Sequence, residues 1–313
     1  MGVYPYRFVP IYLEKIWGGR ALERLFGRQL PPAADIGESW ELADLPQGQS
    51  VVAEGPDAGK TLAELLAEKG PEILGRPGRA GPFPLLLKLL DANDVLSLQV
   101  HPDVEAAEAL GPPAVMKTEC WYVLESRRGY LLKGVADGVT EARMRQALEA
   151  DDAEALRRLV RRFDVKAGDF HYLPAGTVHA LGAGLVVAEI QTPSDTTYRV
   201  SDWGRGRDIH VAQALRCIHF EPPPAEPPGS GGEVLVQDPH FRVRRRVHPP
   251  GRTDLPGGQC LAWMVLSGTG RLRGSGQELA LSPGQTVLLP AAVRQPSLEA
   301  AGAVTYLEVS LPD

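Results

Sequence analysis

Short apolar segments, each closed by turn-forming residues, are the feature that most limits the folds open to this chain. Clear examples are residues 84–90, 95–100, 121–124 and 185–190, which are bounded by Gly, Pro, Asp or Asn. Buried strands usually have this length and these boundaries. The chain also has 34 Gly and 28 Pro without a collagen-like period, which favours many strands joined by tight turns. We therefore predict a mainly β fold with a few helices.

Two stretches have the apolar spacing of helices instead. In residues 61–74, Leu62, Leu65 and Leu66 share one helical face, and a second helix is predicted across residues 140–163. The Pro- and Gly-rich residues 221–232 are predicted to be a linker. We therefore expect a larger domain with helical insertions at 1–220 and a smaller C-terminal domain at 233–313.

A weak internal repeat supports this division. Gly168 and Gly284 are each followed by five residues and a proline, but the position equivalent to His179 in the first copy holds Gln295 in the second. We therefore expect two related units, of which only the N-terminal one keeps a histidine that could bind a metal.

The charge balance excludes a nucleic-acid partner. The formal net charge is −6, and the pI is about 5.7. The two short arginine clusters, at 157–162 and 244–246, fit an amphipathic helix and a strand better than a phosphate-binding surface.

Three cysteines without CxxC spacing argue against a disulfide framework and a cysteine zinc site. The N-terminus lacks a basic start followed by a long apolar core, and no apolar stretch is long enough to span a membrane. We therefore expect a cytoplasmic protein without a membrane partner.

Two polar pairs occur within predicted strands. Gln99 and His101 are two residues apart, as are Lys117 and Glu119, so each pair should project from one side of its strand. Each pair could line a cavity. Alternatively, the first pair could lie on a solvated face, and the second could form a surface ion pair.

The segment from Gly168 to His179 is more specific. Its pattern is Gly, five residues, Pro174, one residue, Gly176, two residues and His179, which resembles the second sequence motif of cupins. Ala183 replaces the usual Asn of that motif, at a position that is not a ligand. The pattern predicts a turn fixed by Pro and Gly that presents His179 at the start of a strand.

Gln99, His101, Glu119 and His179 together offer two imidazoles, one carboxylate and one amide oxygen. Such a set can hold a divalent first-row metal with a position left for water or substrate. The donor types do not distinguish zinc from manganese, iron or cobalt.

Two further charged residues lie near the end of the first unit. Glu189 interrupts a strongly apolar strand, where a carboxylate is costly to bury without a partner. Arg199 could bind a phosphate or an enediolate through two parallel hydrogen bonds. The alternative for Arg199 is a structural salt bridge to Asp195 or Asp202.

Several segments resemble the short bacterial form of the type I mannose-6-phosphate isomerase family. They are residues 37–41 (GESWE), 85–103 (LLLKLLDANDVLSLQVHPD), 117–123 (KTECWYV), 173–181 (LPAGTVHAL) and 189–205 (EIQTPSDTTYRVSDWGR), and the likeness runs from about residue 5 to 220. The resemblance implies two cupin-type jelly-roll units, the second without metal. It also implies one zinc ion on Gln99, His101, Glu119 and His179, and active-site roles for Lys117, Glu189 and Arg199.

The resemblance further implies interconversion of mannose 6-phosphate and fructose 6-phosphate through an enediol. Arg199 would stabilise the negative charge that develops, and Ser97 with Lys117 would be the first choice for anchoring the phosphate. The base could be Glu189, Lys117 or a metal-bound water. The preferred hexose phosphate and the oligomeric state do not follow from the sequence.

Two other functions fit part of the pattern. Two histidines and a carboxylate also suit an iron-dependent cupin oxygenase, but Gln99 would occupy one of the positions that oxygen and substrate need. A non-catalytic sugar-binding cupin is the other alternative, because cupins support many activities.

Overall fold

The computed structural model describes residues 2–76, 81–150, 152–221 and 233–311. The strands are β1 (Tyr6–Val9), β2 (Ile11–Gly19), β3 (Ile36–Leu42), β4 (Asp44–Leu45), β5 (Gly48–Gln49), β6 (Val51–Val52), β7 (Leu86–Ala92), β8 (Leu98–Val100), β9 (Glu119–Ser126), β10 (Tyr130–Val135), β11 (Val160–Asp164), β12 (Phe170–Leu173), β13 (His179–Leu181), β14 (Leu185–Gln191), β15 (Tyr198–Ser201), β16 (Val234–Gln237), β17 (Arg242–His248), β18 (Gly251–Asp254), β19 (Leu261–Ser267), β20 (Gly270–Gly274), β21 (Gln277–Leu281), β22 (Thr286–Leu289), β23 (Ser297–Ala300) and β24 (Val304–Ser310). The helices are α1 (Ala21–Phe26), α2 (Leu62–Leu74), α3 (Val104–Leu110), α4 (Glu141–Glu149), α5 (Ala153–Arg158) and α6 (Val211–Cys217).

Antiparallel sheets dominate the described part of the chain, which confirms the mainly β prediction. The sheet orders are β16-β17-β24-β19-β22-β1-β6, β12-β9-β14-β7-β3-β2, β11-β10-β13-β8-β15, β18-β23-β20-β21 and β4-β5. The predicted strands at 84–90, 121–124 and 185–190 correspond to β7, β9 and β14, whereas only the end of the 95–100 segment forms a strand, β8.

Three hydrophobic layers position the functional region. Leu131 and Leu181 of the five-stranded sheet pack with Trp121 and Val187 of the six-stranded sheet, so these two sheets face each other across one core. A second core packs helices against the outer face of the five-stranded sheet. The third joins the outer face of the six-stranded sheet to the seven-stranded sheet. Burial on both faces explains why β7 and β14 are almost continuously apolar.

Helix α2 confirms the prediction at residues 61–74. Thr61 is its N-cap, and its side chain accepts a hydrogen bond from the Glu64 backbone, while the Glu64 side chain accepts one from the Thr61 backbone. This reciprocal cap satisfies two backbone donors at the helix start.

The prediction of one helix across 140–163 is wrong. Helices α4 and α5 begin after separate caps, Thr140 and Asp152, and the segment then becomes strand β11, which pairs with β10. The apolar positions at 156, 159 and 160 fit a helix equally well, so periodicity alone could not locate this change.

The N-terminal strand β1 crosses the predicted domain boundary in space. Tyr6 and Arg7 pair with Leu288 and Val287 of β22, so the largest sheet combines strands from both ends of the chain. Residues 222–232 of the predicted linker lie outside the described residues. The division into two units therefore stays a prediction.

All three cysteines are buried and free. Within the described ranges, no helix is long and apolar enough to cross a membrane.

Candidate metal centre and adjoining cavity

Strands from the two facing sheets bring the predicted ligands together. Gln99 on β8 lies directly opposite His179 on β13, and His101 follows the end of β8. Glu119 begins β9 in the other sheet. The turn before His179 needs Gly176, whose φ is +85° and where a Cβ would lie 2.5 Å from the His219 ring.

The polar atoms of these residues converge on one point. Glu119 Oε2 is 3.3 Å from His101 Nε2, and Glu119 Oε1 is 3.2 Å from His179 Nε2. Gln99 Nε2 lies 3.2 Å from His179 Nε2. His101, Glu119 and His179 form a group, found among the described residues, whose ligand atoms all lie within 4.8 Å of one another.

Both imidazoles are oriented by backbone carbonyls. His101 Nδ1 is 2.9 Å from the Thr196 oxygen, and His179 Nδ1 is 2.8 Å from the Thr177 oxygen. A carbonyl can only accept, so Nδ1 carries the proton and Nε2 presents a lone pair.

Acceptor atoms therefore face one another at this point. His101 Nε2 and both carboxylate oxygens of Glu119 are buried without a well-aligned hydrogen-bond partner. Lone pairs this close repel one another unless a positive ion lies between them. The donor set thus fits a divalent metal.

The surrounding charges keep Glu119 ionised. Burial opposes its charge, but nearby Lys117 holds the pKa of Glu119 well below its usual value. Burial, together with the Lys117 charge, lowers the pKa of His101 to about 3. A deprotonated carboxylate and neutral imidazoles are the forms that bind metal.

A cavity of about 290 Å³ opens beside this group, with Gln99 and Ser97 in its wall. Its charged lining consists of five cations and three carboxylates: Lys15, Lys88, Lys117, Arg199, Arg207, Glu38, Glu189 and Asp195. The size is at the lower end of the range for small-molecule pockets, and the excess of cations suits an anionic ligand.

Ion pairs fix the carboxylates in the cavity. Lys88 Nζ is 3.4 Å from Glu38 Oε2 and 3.2 Å from Glu189 Oε2, and all three side chains are almost fully buried. Trp121 Nε1 donates to Glu189 at 2.8 Å. Burial raises the pKa of Glu189 despite the opposing effect of Lys88.

Arg199 lies next to the candidate ligands, since it pairs with Gln99 across β15 and β8. Its Nη1 donates to the Asp208 carbonyl at 2.5 Å, and its Nε is buried without a hydrogen bond. Among the described residues, Asp202 forms ion pairs with Arg205 and Arg207 rather than with Arg199, so the structural salt bridge considered for Arg199 does not form with Asp202.

Lys117 and Ser97 also line the cavity. Lys117 Nζ is 3.0 Å from Glu119 Oε2, and Ser97 Oγ donates to Gln99 Oε1 at 3.5 Å. The structure therefore brings all eight predicted site residues to one region.

Other charged cavity residues had no sequence prediction: Lys15, Glu38, Lys88, Asp195 and Arg207. Lys88 carried the clearest signal, because a lysine within the apolar run 85–90 must be paired if it is buried. The others lie in segments whose folded proximity depends on distant strand pairings.

Paired antiparallel sheets that enclose two histidines and a carboxylate define a cupin-like metal protein. A family model described as phosphomannose isomerase type I, catalytic domain, matches residues 6–142. The chain is 38% identical over 303 residues to the probable mannose-6-phosphate isomerase GmuF of Bacillus subtilis, covering 92% of this chain and 94% of that one. The chain therefore belongs to the type I phosphomannose isomerase family.

Solved structures agree with the fold. The mannose 6-phosphate isomerase of Bacillus subtilis superposes with a TM-score of 0.85 at 32% identity, covering 99% of this chain and all of that one. A zinc-bound mannose 6-phosphate isomerase superposes with a TM-score of 0.80 at 18% identity, covering 99% of this chain and 100% of that one.

Proposed function

We propose that this protein is a metal-dependent aldose-ketose isomerase that interconverts mannose 6-phosphate and fructose 6-phosphate. The observation that carries the proposal is the convergence of His101, Glu119 and His179 beside a cavity rich in cations, with unsatisfied buried acceptors on His101 and Glu119. The names of the relatives supply the substrate class.

We assign zinc to this centre, with His101, Glu119, His179 and Gln99 as its ligands. Turning the Gln99 amide by half a rotation would direct its oxygen, rather than its nitrogen, towards His179. When bound, the ion would polarise the sugar oxygens at the reacting carbons. Zinc is preferred because a relative of the same fold is described as zinc-bound.

Glu189 is our candidate for moving the proton between C2 and C1. Its carboxylate is fixed by Lys88 and Trp121 in the cavity wall, and its raised pKa brings it closer to the range useful for proton transfer near neutral pH. Lys117, on the other side of Glu119, is the second candidate.

Arg199 would stabilise the negative charge of the enediolate, because its unsatisfied Nε is next to the candidate ligands. Ser97 and Lys117 would donate to substrate oxygens near the metal. A cytoplasmic location also remains our prediction.

The proposal is tested by measuring the conversion of mannose 6-phosphate to fructose 6-phosphate and the metal content of the purified proteins. The wild type is compared with Arg199→Ala and His179→Ala. We expect Arg199→Ala to retain the metal and lose most turnover, whereas His179→Ala should lose both. Absence of isomerase activity in the wild type with zinc, manganese, iron or cobalt would refute the proposal.

A further inference from the structure

The positive charge of the cavity is unevenly neutralised. Lys15 and Lys88 face Glu38 and Glu189, at 2.9 to 3.4 Å, and these four charges cancel. Lys117 is likewise matched by Glu119 at 3.0 Å. The lysines are therefore already occupied by carboxylates.

The arginine end of the cavity is different. Asp202, which is 2% exposed, forms ion pairs with both Arg205 and Arg207, and Arg199 lies close to them. Arg205 is also 3.7 Å from Asp94, and Asp195 lines the cavity, so Arg199 and Arg207 in the cavity wall are balanced by Asp195 and by a share of Asp202. The net positive charge that remains suits a phosphate monoester, which carries about −1.5 to −2 near pH 7.

Only one of the two arginines bound to Asp202 reaches the cavity. Arg205 donates to the carbonyls of Val95 and Asp202, at 2.7 and 3.0 Å, and does not line the cavity. Arg207 does line it. Its Nε and Nη2 donate to Asp202 Oδ1, and its backbone N–H donates to Asp202 Oδ2 at 3.0 Å. Asp202 thus fixes Arg207, while Nη1 on the outer edge of the guanidinium makes no hydrogen bond to another described residue.

Arg199 also lies close to the positive charge of Arg207. Burial first, and then the charge of Arg207, lowers the pKa of Arg199. A bound anion would relieve this repulsion.

We propose that Arg207 is the residue that binds the phosphoryl group of the substrate, and that Asp202 is its positioning residue. The inference rests on the proposed function and moves the phosphate away from Ser97 and Lys117, the anchors expected from sequence. Both Lys117 and Arg207 are ion-paired, but Lys117 presents a single charged nitrogen, whereas the outer edge of the Arg207 guanidinium keeps a fixed fork whose geometry matches phosphate oxygens.

Binding of mannose 6-phosphate and of mannose to the metal-loaded enzyme tests the proposal by calorimetry. In Arg207→Gln, we expect the Kd of mannose 6-phosphate to rise about 30-fold, consistent with loss of a charged hydrogen bond. The Kd of mannose should change less than about threefold. Arg207→Lys should recover part of the affinity, because it keeps the charge without the fork.

Arg205→Gln is the matched control, since it removes the other arginine on Asp202. It should leave the ratio of the two dissociation constants within about threefold of wild type, even if it lowers stability. An equal loss of affinity for both sugars in Arg207→Gln, or no loss for either, would overturn the proposal. Because binding is measured directly, a wild type that binds but does not isomerise would refute the proposed function and leave this test valid.

Discussion

Two parts of the molecule share a strand register and differ in chemistry. Beside the candidate metal centre, Trp121 of β9 pairs with Glu189 of β14, which in turn pairs with Lys88 of β7. In the seven-stranded sheet, Trp263 of β19 pairs with Glu308 of β24, which pairs with Arg244 of β17. Both regions therefore place a tryptophan, a glutamate and a cation on three neighbouring strands.

The turns correspond as well. Gly168 N–H donates to Val123 O at 2.8 Å, and Gly284 N–H donates to Val265 O at 2.8 Å. Both glycines have positive φ, +94° and +79°. These contacts support the repeat proposed from the sequence.

The ligand positions do not correspond. Glu119 pairs with Leu173 in the first region, and the same position in the second is Leu261, paired with Leu289. Gln295 stands in place of His179. A few side chains at strand ends thus separate a metal centre from a packed sheet, while the backbone scaffold persists.

The tryptophans of the two regions make different contacts. Trp121 Nε1 donates to Glu189, whereas Trp263 stacks on Tyr306 at 4.3 Å and its Nε1 is buried without a hydrogen bond. Trp263 is therefore held by aromatic packing, whereas Trp121 is held by a hydrogen bond.

The largest predicted effect separates His179 from Gln295. His179→Ala should remove the metal and lower turnover at least about 1,000-fold, because it deletes an inner ligand. Gln295→Ala should leave metal content and turnover unchanged. Metal analysis of the purified proteins measures this, and comparable metal loss in both variants would break the comparison.

The next largest effect is a difference in kcat between substitutions of Glu189 and Glu308. Glu189→Gln should lower kcat by about 100-fold or more while the metal is retained, as expected for loss of an acid-base group. Glu308→Gln should change kcat less than about twofold, because Glu308 lies outside the proposed site. Steady-state kinetics with metal analysis test this; equal kcat losses would contradict the assignment.

Substituting alanine for each of the two turn glycines should lower the stability of the fold by different amounts. Gly168→Ala should destabilise the fold by about 1 kcal/mol, mainly through backbone strain, because the nearest atom to the new Cβ would be Tyr122 Oη at 3.9 Å. Gly284→Ala would also place Cβ 2.3 Å from Phe26 Cγ, so we expect about 2–4 kcal/mol. Urea unfolding measures both, and similar losses would show that the two turns are under similar constraint.

A smaller, pH-dependent effect should come from Glu38. Burial opposes its charge, but Lys88 and Lys15 lower the pKa of Glu38 from 4.5 to about 2. A lowered carboxylate pKa stabilises the fold above pH 4.5, and this contribution, at most roughly 3 kcal/mol, is lost as the pH falls towards 2. Glu38→Gln should therefore flatten the acid limb of the stability curve. An unchanged limb would contradict this.

The candidate metal centre could be predicted from the sequence because the patterns that identify its residues lie within short segments. The Pro-Gly turn before His179 and the two-residue spacing of Gln99 and His101 act within single segments. Their resemblance to a known family joined them into one site.

The other cavity residues and the arrangement of the sheets could not be predicted, because they depend on contacts between distant segments. The Lys88–Glu38 pair requires β7 and β3 to be neighbours. The pairing of β1 with β22 likewise joins residues that no local pattern connects. Strand periodicity specifies which side a residue faces but not which strand lies beside it.

Metal titration of the chelated enzyme tests the central claim most directly. Isomerisation of mannose 6-phosphate should vanish on chelation and return in proportion to added zinc, reaching its maximum near one ion per chain. His179→Ala should show no such recovery. Full activity after complete removal of the metal, or equal recovery in His179→Ala, would contradict the account.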